Sequence, residues 1–181
     1  VSYLKVIANQ DDDINLLRIV NTPRRGIGRT TLEKMRKVAD DHKCSLFSAL
    51  TLMSISTDGQ VKEAMKRTLK RFADMIEEYH YKLFNTNTQR NQILRTLIQE
   101  IGYKQHIEAE HPDNEAFAAY KMKGVNMLCD MLARWERNPE NRNASIFDYL
   151  NRISLAGKEN PEEEDAGKIA LMTIHASKGL E

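Results

Sequence analysis

Residues 60–84 read QVKEAMKRTLKRFADMIEEYHYKLF, the longest periodic stretch of the chain. Val61, Met65, Leu69, Phe72, Ile76, Tyr79 and Leu83 recur at steps of three and four, which places them on one stripe of a long amphipathic helix. The same period continues on both sides. Helices are predicted at Arg90–Ile101, Glu115–Trp135 and Ser145–Leu155, with a shorter one around Leu46, Phe47, Ala49 and Leu50. Nearer the start, Asp11-Asp12-Asp13 supplies a cap and first-turn acids for a helix carrying Ile14, Leu17 and Val20. Asn21-Thr22-Pro23 stops it, because the residue before a proline avoids the helical region. After a tight loop, Thr30 or Thr31 is expected to cap a helix with Leu32, Met35, Val38, Ala39 and His42 on one face. Tyr3, Leu4, Val6 and Ile7 form a short apolar stretch ahead of all of these.

Composition bounds the function. The chain has 181 residues, 41% hydrophobic and 29% charged, enough for one domain with a real core or one domain with an appendage. An aromatic share of 7% with 4 prolines and 8 glycines argues against a β-sandwich, a collagen or a disordered linker. Lys+Arg 27 against Asp+Glu 26 gives +1, which excludes a polyanion-binding surface over the whole chain but not a local basic patch. No apolar run approaches the roughly 20 residues of a membrane span, and VSYLKVIANQ lacks the features of a signal peptide. Cys44 and Cys129 build neither a disulfide framework nor a zinc cluster, and read as buried thiols of a cytosolic protein. The chain starts without Met and stops in MTIHASKGLE, so it is expected to be a piece of a longer protein.

The composition shifts at Gly157. Lys158 to Asp165, KENPEEED, carries five acids to one base and reads as a solvated linker, taken as 158–167. Lys168–Ile174 is then a short apolar run ending in a polar turn with a glycine, the pattern of one buried strand. The expected architecture is all-α over residues 1–157, an irregular multi-helix subdomain. Residues 168–181 are expected to begin a second domain.

Three places could carry chemistry. Thr22-Pro23-Arg24-Arg25-Gly26-Ile27-Gly28 leads into a helix N-terminus, whose unpaired N–H groups suit a phosphate. Its two glycines let a backbone approach closely, and Ile27 can turn inward as an anchor. From Thr22 to Lys43 seven bases (Arg24, Arg25, Arg29, Lys34, Arg36, Lys37, Lys43) face three acids (Glu33, Asp40, Asp41), a local +4. Such a helix–turn–helix can grip a nucleic-acid backbone without reading bases; it fits a plain αα turn equally. Lys62, Lys66 and Lys70, with Arg67 and Arg71, read as the solvated side of the long helix, with a secondary phosphate contact as the alternative. The third place is the tail. Leu171 to Glu181 places small and polar groups, His175 to Gly179, directly at the carboxyl end of an apolar strand, where open α/β sheets bind ligands, or forms an ordinary strand-to-helix connection. The five histidines show no metal-ligand spacing, Ser177-Lys178 makes no nucleophile pair, and no G-x-x-x-x-G-K-[ST] loop occurs.

Two segments resemble a known family. ALMTIHASKGLE resembles motif V of the UvrD/Rep/PcrA group of superfamily 1 DNA helicases, and NTPRRGIG, about 150 residues upstream, resembles its GIG motif. DDDINLLRIVNTP leads into the second in the same way. The resemblance covers the whole chain and implies helical subdomain 2B, an insertion in RecA-like domain 2A, with 168–181 re-entering 2A. It implies that Thr22, Arg24, Arg25, Gly26, Ile27, Gly28 and Thr30 contact duplex DNA, and that Thr173 and His175 touch the single strand. Lys178 would couple DNA to ATP, with Gly179 and Glu181 near the nucleotide.

The parent implied is a 3′-to-5′ helicase using ATP and Mg²⁺. Its partners would be DNA and the remaining domains 1A, 1B and 2A, with no membrane, in the bacterial cytosol at the nucleoid. The chain alone, lacking Walker A, is expected to bind no cofactor and to hydrolyse no ATP. A competing reading is a helical protein-interaction or autoinhibitory module without direct DNA contact; a free-standing repair enzyme lacks a catalytic setting. The position of Gly26 and Gly28 separates the first two, since an exposed turn favours DNA and a covered one favours a protein partner.

Overall fold

The computed structural model describes residues 1–57, 59, 61–86 and 89–156. Among them the secondary structure is helical: α1 (Ser2–Ala8), α2 (Asp13–Ile19), α3 (Arg29–His42), α4 (Leu46–Ile55), α5 (Glu63–Phe84), α6 (Arg90–Glu100), α7 (Tyr103–Glu110), α8 (Glu115–Arg137) and α9 (Ile146–Ala156). A 3-10 turn, Pro139–Asn141, follows α8. The linker expected at 158–167, the strand at Lys168–Ile174, and Thr173, His175, Lys178, Gly179 and Glu181 lie outside the described residues.

The 22-residue α5 is the spine. Its stripe turns inward as the periodicity predicts: Leu69, Phe72, Ile76, Tyr79 and Leu83 are buried, with Met65 packed at the edge of the core. α4, α1 and α6 pack on this spine; α3 lies on α4, α2 on α1, and α8 on α6. The buried residues of these helices and of α9 form one continuous core. Ile107 of α7 and Ala118 of α8 are buried apart from it, where α7 packs against α8.

Cys44 is half-buried where a buried thiol is expected, and the helices differ from the sequence reading at four points. The apolar stretch near the start is a helix, α1, because Leu4, Val6, Ile7 and Ala8 are all buried. Seven residues gain little from helix propensity alone, so tertiary packing stabilises this helix. α7 follows α6 after Gly102, whose φ of +66° reverses the chain. Neither Thr30 nor Thr31 caps α3: Gly28 holds that position and both threonines fall in the first turn. The row on α5 is not one solvated face either. The aliphatic stem of Lys66 is buried at the margin of the stripe while its ammonium reaches Glu63 at 2.7 Å, and Lys70 pairs with Asp74 at 2.9 Å.

Two polar arrangements join distant helices. The Glu136 carboxylate of α8 caps α6, accepting from the Arg90 N–H (2.7 Å), the Asn91 N–H (3.3 Å) and the Asn91 amide (2.7 Å). The buried Arg90 side chain donates from Nε to the Leu83 carbonyl (3.2 Å) and from its guanidinium to the Ala144 carbonyl (3.1 Å). The end of α5, the start of α6 and the entry to α9 thus meet at one residue.

Two buried phenols make the fold sensitive to alkali. Tyr79 donates to Glu100 at 2.6 Å; burial, then the hydrogen bond and charge of Glu100, raise its pKa far above the tyrosine value of 10.0. Burial, reinforced by Cys129, pushes Tyr149 up to about 12. The folded chain therefore holds protons that the unfolded chain releases, and stability is lost as pH rises above the unfolded value. The melting temperature should stay level below about pH 9 and fall steeply above about pH 10. Tyr79→Phe combined with Tyr149→Phe should flatten that fall; an equally steep fall in the double variant would assign it elsewhere.

Candidate nucleic-acid interface

Residues 21–28 connect α2 to α3 and form a turn with two faces. The inner face is built on Asn21, whose Oδ1 accepts from the backbone N–H of Arg25 (2.7 Å) and of Ile27 (3.3 Å). A side-chain amide thus folds the backbone over itself, as Asn does in turns. The Thr22–Pro23 peptide is cis, and the Thr22 carbonyl accepts from the Tyr3 hydroxyl at 2.5 Å. Ile27 is fully buried in the core.

Arg25 is also turned inward. Its guanidinium donates to the carbonyls of Ile19 (3.0 Å), Val20 (3.3 Å) and Pro23 (3.1 Å) and to the Tyr3 hydroxyl (2.5 Å). It also lies 4.9 Å from the Phe72 ring centroid, within cation–π range. Burial raises the Tyr3 pKa, with the charge and hydrogen bond of Arg25 opposing the rise. Three carbonyls near the end of α2, a phenol of α1 and a ring of α5 therefore meet at one planar cation. Such fork geometry is specific to arginine.

The outer face carries the other residues. Arg24, Gly26, Gly28 and Thr30 are exposed. Gly26 has φ +76°, a conformation that favours glycine. Gly28, at φ −89° and ψ −177°, is the N-cap of α3 and supplies no side-chain cap. A Cβ built at either glycine meets nothing within 4 Å. The N–H groups of Gly28, Arg29 and Thr30 have no acceptor among the described residues, so the positive end of a 14-residue helix opens to solvent. Arg29 stands beside it, 91% exposed and paired with Glu33 at 2.8 Å. Further along α3, Lys34, Arg36 and Lys37 are exposed.

The structure brings Arg24, Gly26, Gly28 and Thr30 together on one side and sends Arg25, Ile27 and the Thr22 carbonyl to the other. Tyr3, Asn21 and Phe72, which hold the turn, were not among the expected site residues. Asn21 carried a local signal, an Asn ahead of a Pro-containing turn; Tyr3 and Phe72 are distant in sequence and carried none. Among the described residues no group of three His, Cys, Asp or Glu side chains could hold a metal ion. Nor is any described helix long and apolar enough to cross a membrane.

Among the described residues, fold and site define a helical module presenting an exposed, arginine-flanked Gly-x-Gly turn at a helix start. The chain belongs to the family of the UvrD-like helicase C-terminal domain, which it matches over residues 1–181. It is similar to the ATP-dependent DNA helicase PcrA of Staphylococcus aureus (strain Mu50 / ATCC 700699), 28% identical over 182 aligned residues. The PcrA of Staphylococcus epidermidis (strain ATCC 12228 / FDA PCI 1200) is 28% identical over the same length. In both alignments all of this chain is covered, and it spans 24% of the relative's length.

Proposed function

We propose that this chain is the 2B-like accessory subdomain of an ATP-dependent 3′-to-5′ DNA helicase and binds the backbone of duplex DNA through the turn at 21–28. The observation that supports this reading is the outer face of that turn. Gly26 and Gly28 stand uncovered, the first N–H groups of α3 have no acceptor among the described residues, and Arg24 is exposed beside them. This combination suits a phosphodiester, which needs close backbone approach, N–H donors and charge but no base-specific groups. Arg24, Gly26, Gly28 and Thr30 would make the contact, with Arg25 and Ile27 holding the turn in place.

ATP and Mg²⁺ would belong to the parent motor. These 181 residues contain no phosphate-cradling Gly-rich loop with its lysine, so the described residues do not fit the nucleotide and no step of hydrolysis is assigned to them. In the intact helicase of the bacterial cytosol, Thr173 and His175 would face the single strand, and Lys178, Gly179 and Glu181 the nucleotide. A protein-interaction role has one observation in its favour, the exposed Phe117, Tyr120 and Met127 on α8. That face and the turn are separate surfaces, and variants tell them apart.

Duplex binding across a salt series tests the reading. Arg24→Ala should flatten the slope of log affinity against log salt by about 1 unit, the loss of one neutralised phosphate. Gly28→Val should weaken binding without unfolding the chain, since its backbone is extended and a Cβ there meets nothing. If both variants bind as the parent chain does, the turn is not the duplex site.

A further inference from the structure

Beside the turn, an open cleft of roughly 400 Å³ separates Pro23 and Arg24 from Thr68, Arg71 and Phe72 of α5, with Glu100 at its margin. Arg24 and Arg71 are both exposed, and neither has an ion-pair or hydrogen-bond partner among the described residues. Some surface cations of the chain are ion-paired, such as Arg29 with Glu33, Lys70 with Asp74, Lys82 with Glu78 and Arg95 with Asp130. Arg36, Lys37 and Arg67, like Arg24 and Arg71, have no such partner among the described residues. Two unneutralised guanidinium groups bordering one cleft raise its positive potential, and Arg25, which also lines it beside the Phe72 ring, adds charge although its donors are turned to the carbonyls of the turn. Glu100 also lines the cleft; its carboxylate accepts a hydrogen bond from Tyr79 and offsets one of the three positive charges there.

We infer that this cleft seats a second phosphodiester of the same DNA, clamped between Arg24 of the turn and Arg71 of α5. The inference rests on the duplex-binding reading and extends it to a residue of the spine helix. Duplex DNA carries a charge about every 1.7 Å along its axis, so a strand held at the start of α3 has neighbouring phosphates to offer an adjacent cationic cleft. Guanidinium groups suit this task because each presents paired donors to a phosphate. Thr68 lines the cleft without donating into it, since its hydroxyl is bonded to the Ala64 carbonyl at 3.1 Å. Arg67 lies one turn earlier on α5, is exposed, and does not border the cleft. It therefore serves as a control of equal charge.

The experiment is duplex binding by the chain between about 50 and 200 mM salt. Arg71→Ala should lower affinity about fivefold near 100 mM salt and flatten the salt slope by about 1 unit, while Arg24→Ala with Arg71→Ala should flatten it by about 2. Arg71→Lys should keep most of the slope, and Arg67→Ala should change neither quantity. Arg71→Ala binding like the parent chain, with Arg24→Ala and Gly28→Val still impaired, would overturn the cleft and leave the turn standing. An equal loss in Arg67→Ala and Arg71→Ala would also overturn it, because diffuse charge would then account for the effect. Unchanged binding in Arg24→Ala, Gly28→Val and Arg71→Ala together would remove the duplex reading itself.

Discussion

Arg25→Lys is expected to weaken duplex binding about tenfold while changing the salt slope by less than Arg24→Ala does. Lysine keeps the charge but cannot span three carbonyls and a phenol from one planar group. Hydrogen bonds to charged donors contribute about 1.5–3 kcal/mol each at most, so losing the fork should also destabilise the chain by about 2 kcal/mol. Arg25→Ala should go further on both counts, because the Phe72 ring loses its cation as well. The measurements are denaturant unfolding and a salt series on the same samples. A variant that loses a full unit of slope with unchanged stability would make Arg25 a phosphate ligand rather than the residue that positions the turn.

The second large effect is expected at Arg90, well away from the turn. Arg90→Ala removes the donors to the Leu83 and Ala144 carbonyls and leaves a void where a long side chain, 4% exposed, now packs. Unsatisfied buried acceptors cost about 1–3 kcal/mol each, and the void adds to that, so about 4 kcal/mol of stability should be lost. Glu136→Gln offers a milder comparison. It keeps one acceptor for the start of α6 but removes the charge that suits a helix N-terminus, a loss of about 1 kcal/mol. Arg90→Met keeps most of the volume but none of the donors, and stability equal to the parent chain in that variant would show that Arg90 contributes packing alone.

The legible part of this molecule was the part governed by local pattern. The α5 stripe could be read because a period of three to four residues fixes which side chains turn inward, wherever the partner helices come from. The Asp11–Asp13 run could be read too: Asp12 accepts from the Asn15 N–H at 3.0 Å as N-cap, and Asp13 stands in the first turn. The steric freedom of the two glycines could be read as well, but not whether the turn stands exposed or covered, which only the packing of the helices decides. What could not be read depends on residues far apart in the chain. Spacing gave Arg24 and Arg25 the same character, and only the proximity of Tyr3 and Phe72 separates an outward cation from an inward one. Lys66 reads as solvated until the width of the buried stripe is known. Arg90 and Glu136 show no periodic signal, because their partners lie 54 and 46 residues away.

The Asn21 amide leaves an imprint that can be followed amide by amide in deuterated solvent. It holds the N–H groups of Arg25 and Ile27, whereas those of Gly26 and Gly28 have no acceptor among the described residues. Exchange along the turn therefore alternates, slow at 25 and 27 and fast at 26 and 28. An anion seated on the outer face would slow the fast pair and leave the slow pair as it was, so occupancy of the turn becomes readable at single residues without any change of fold.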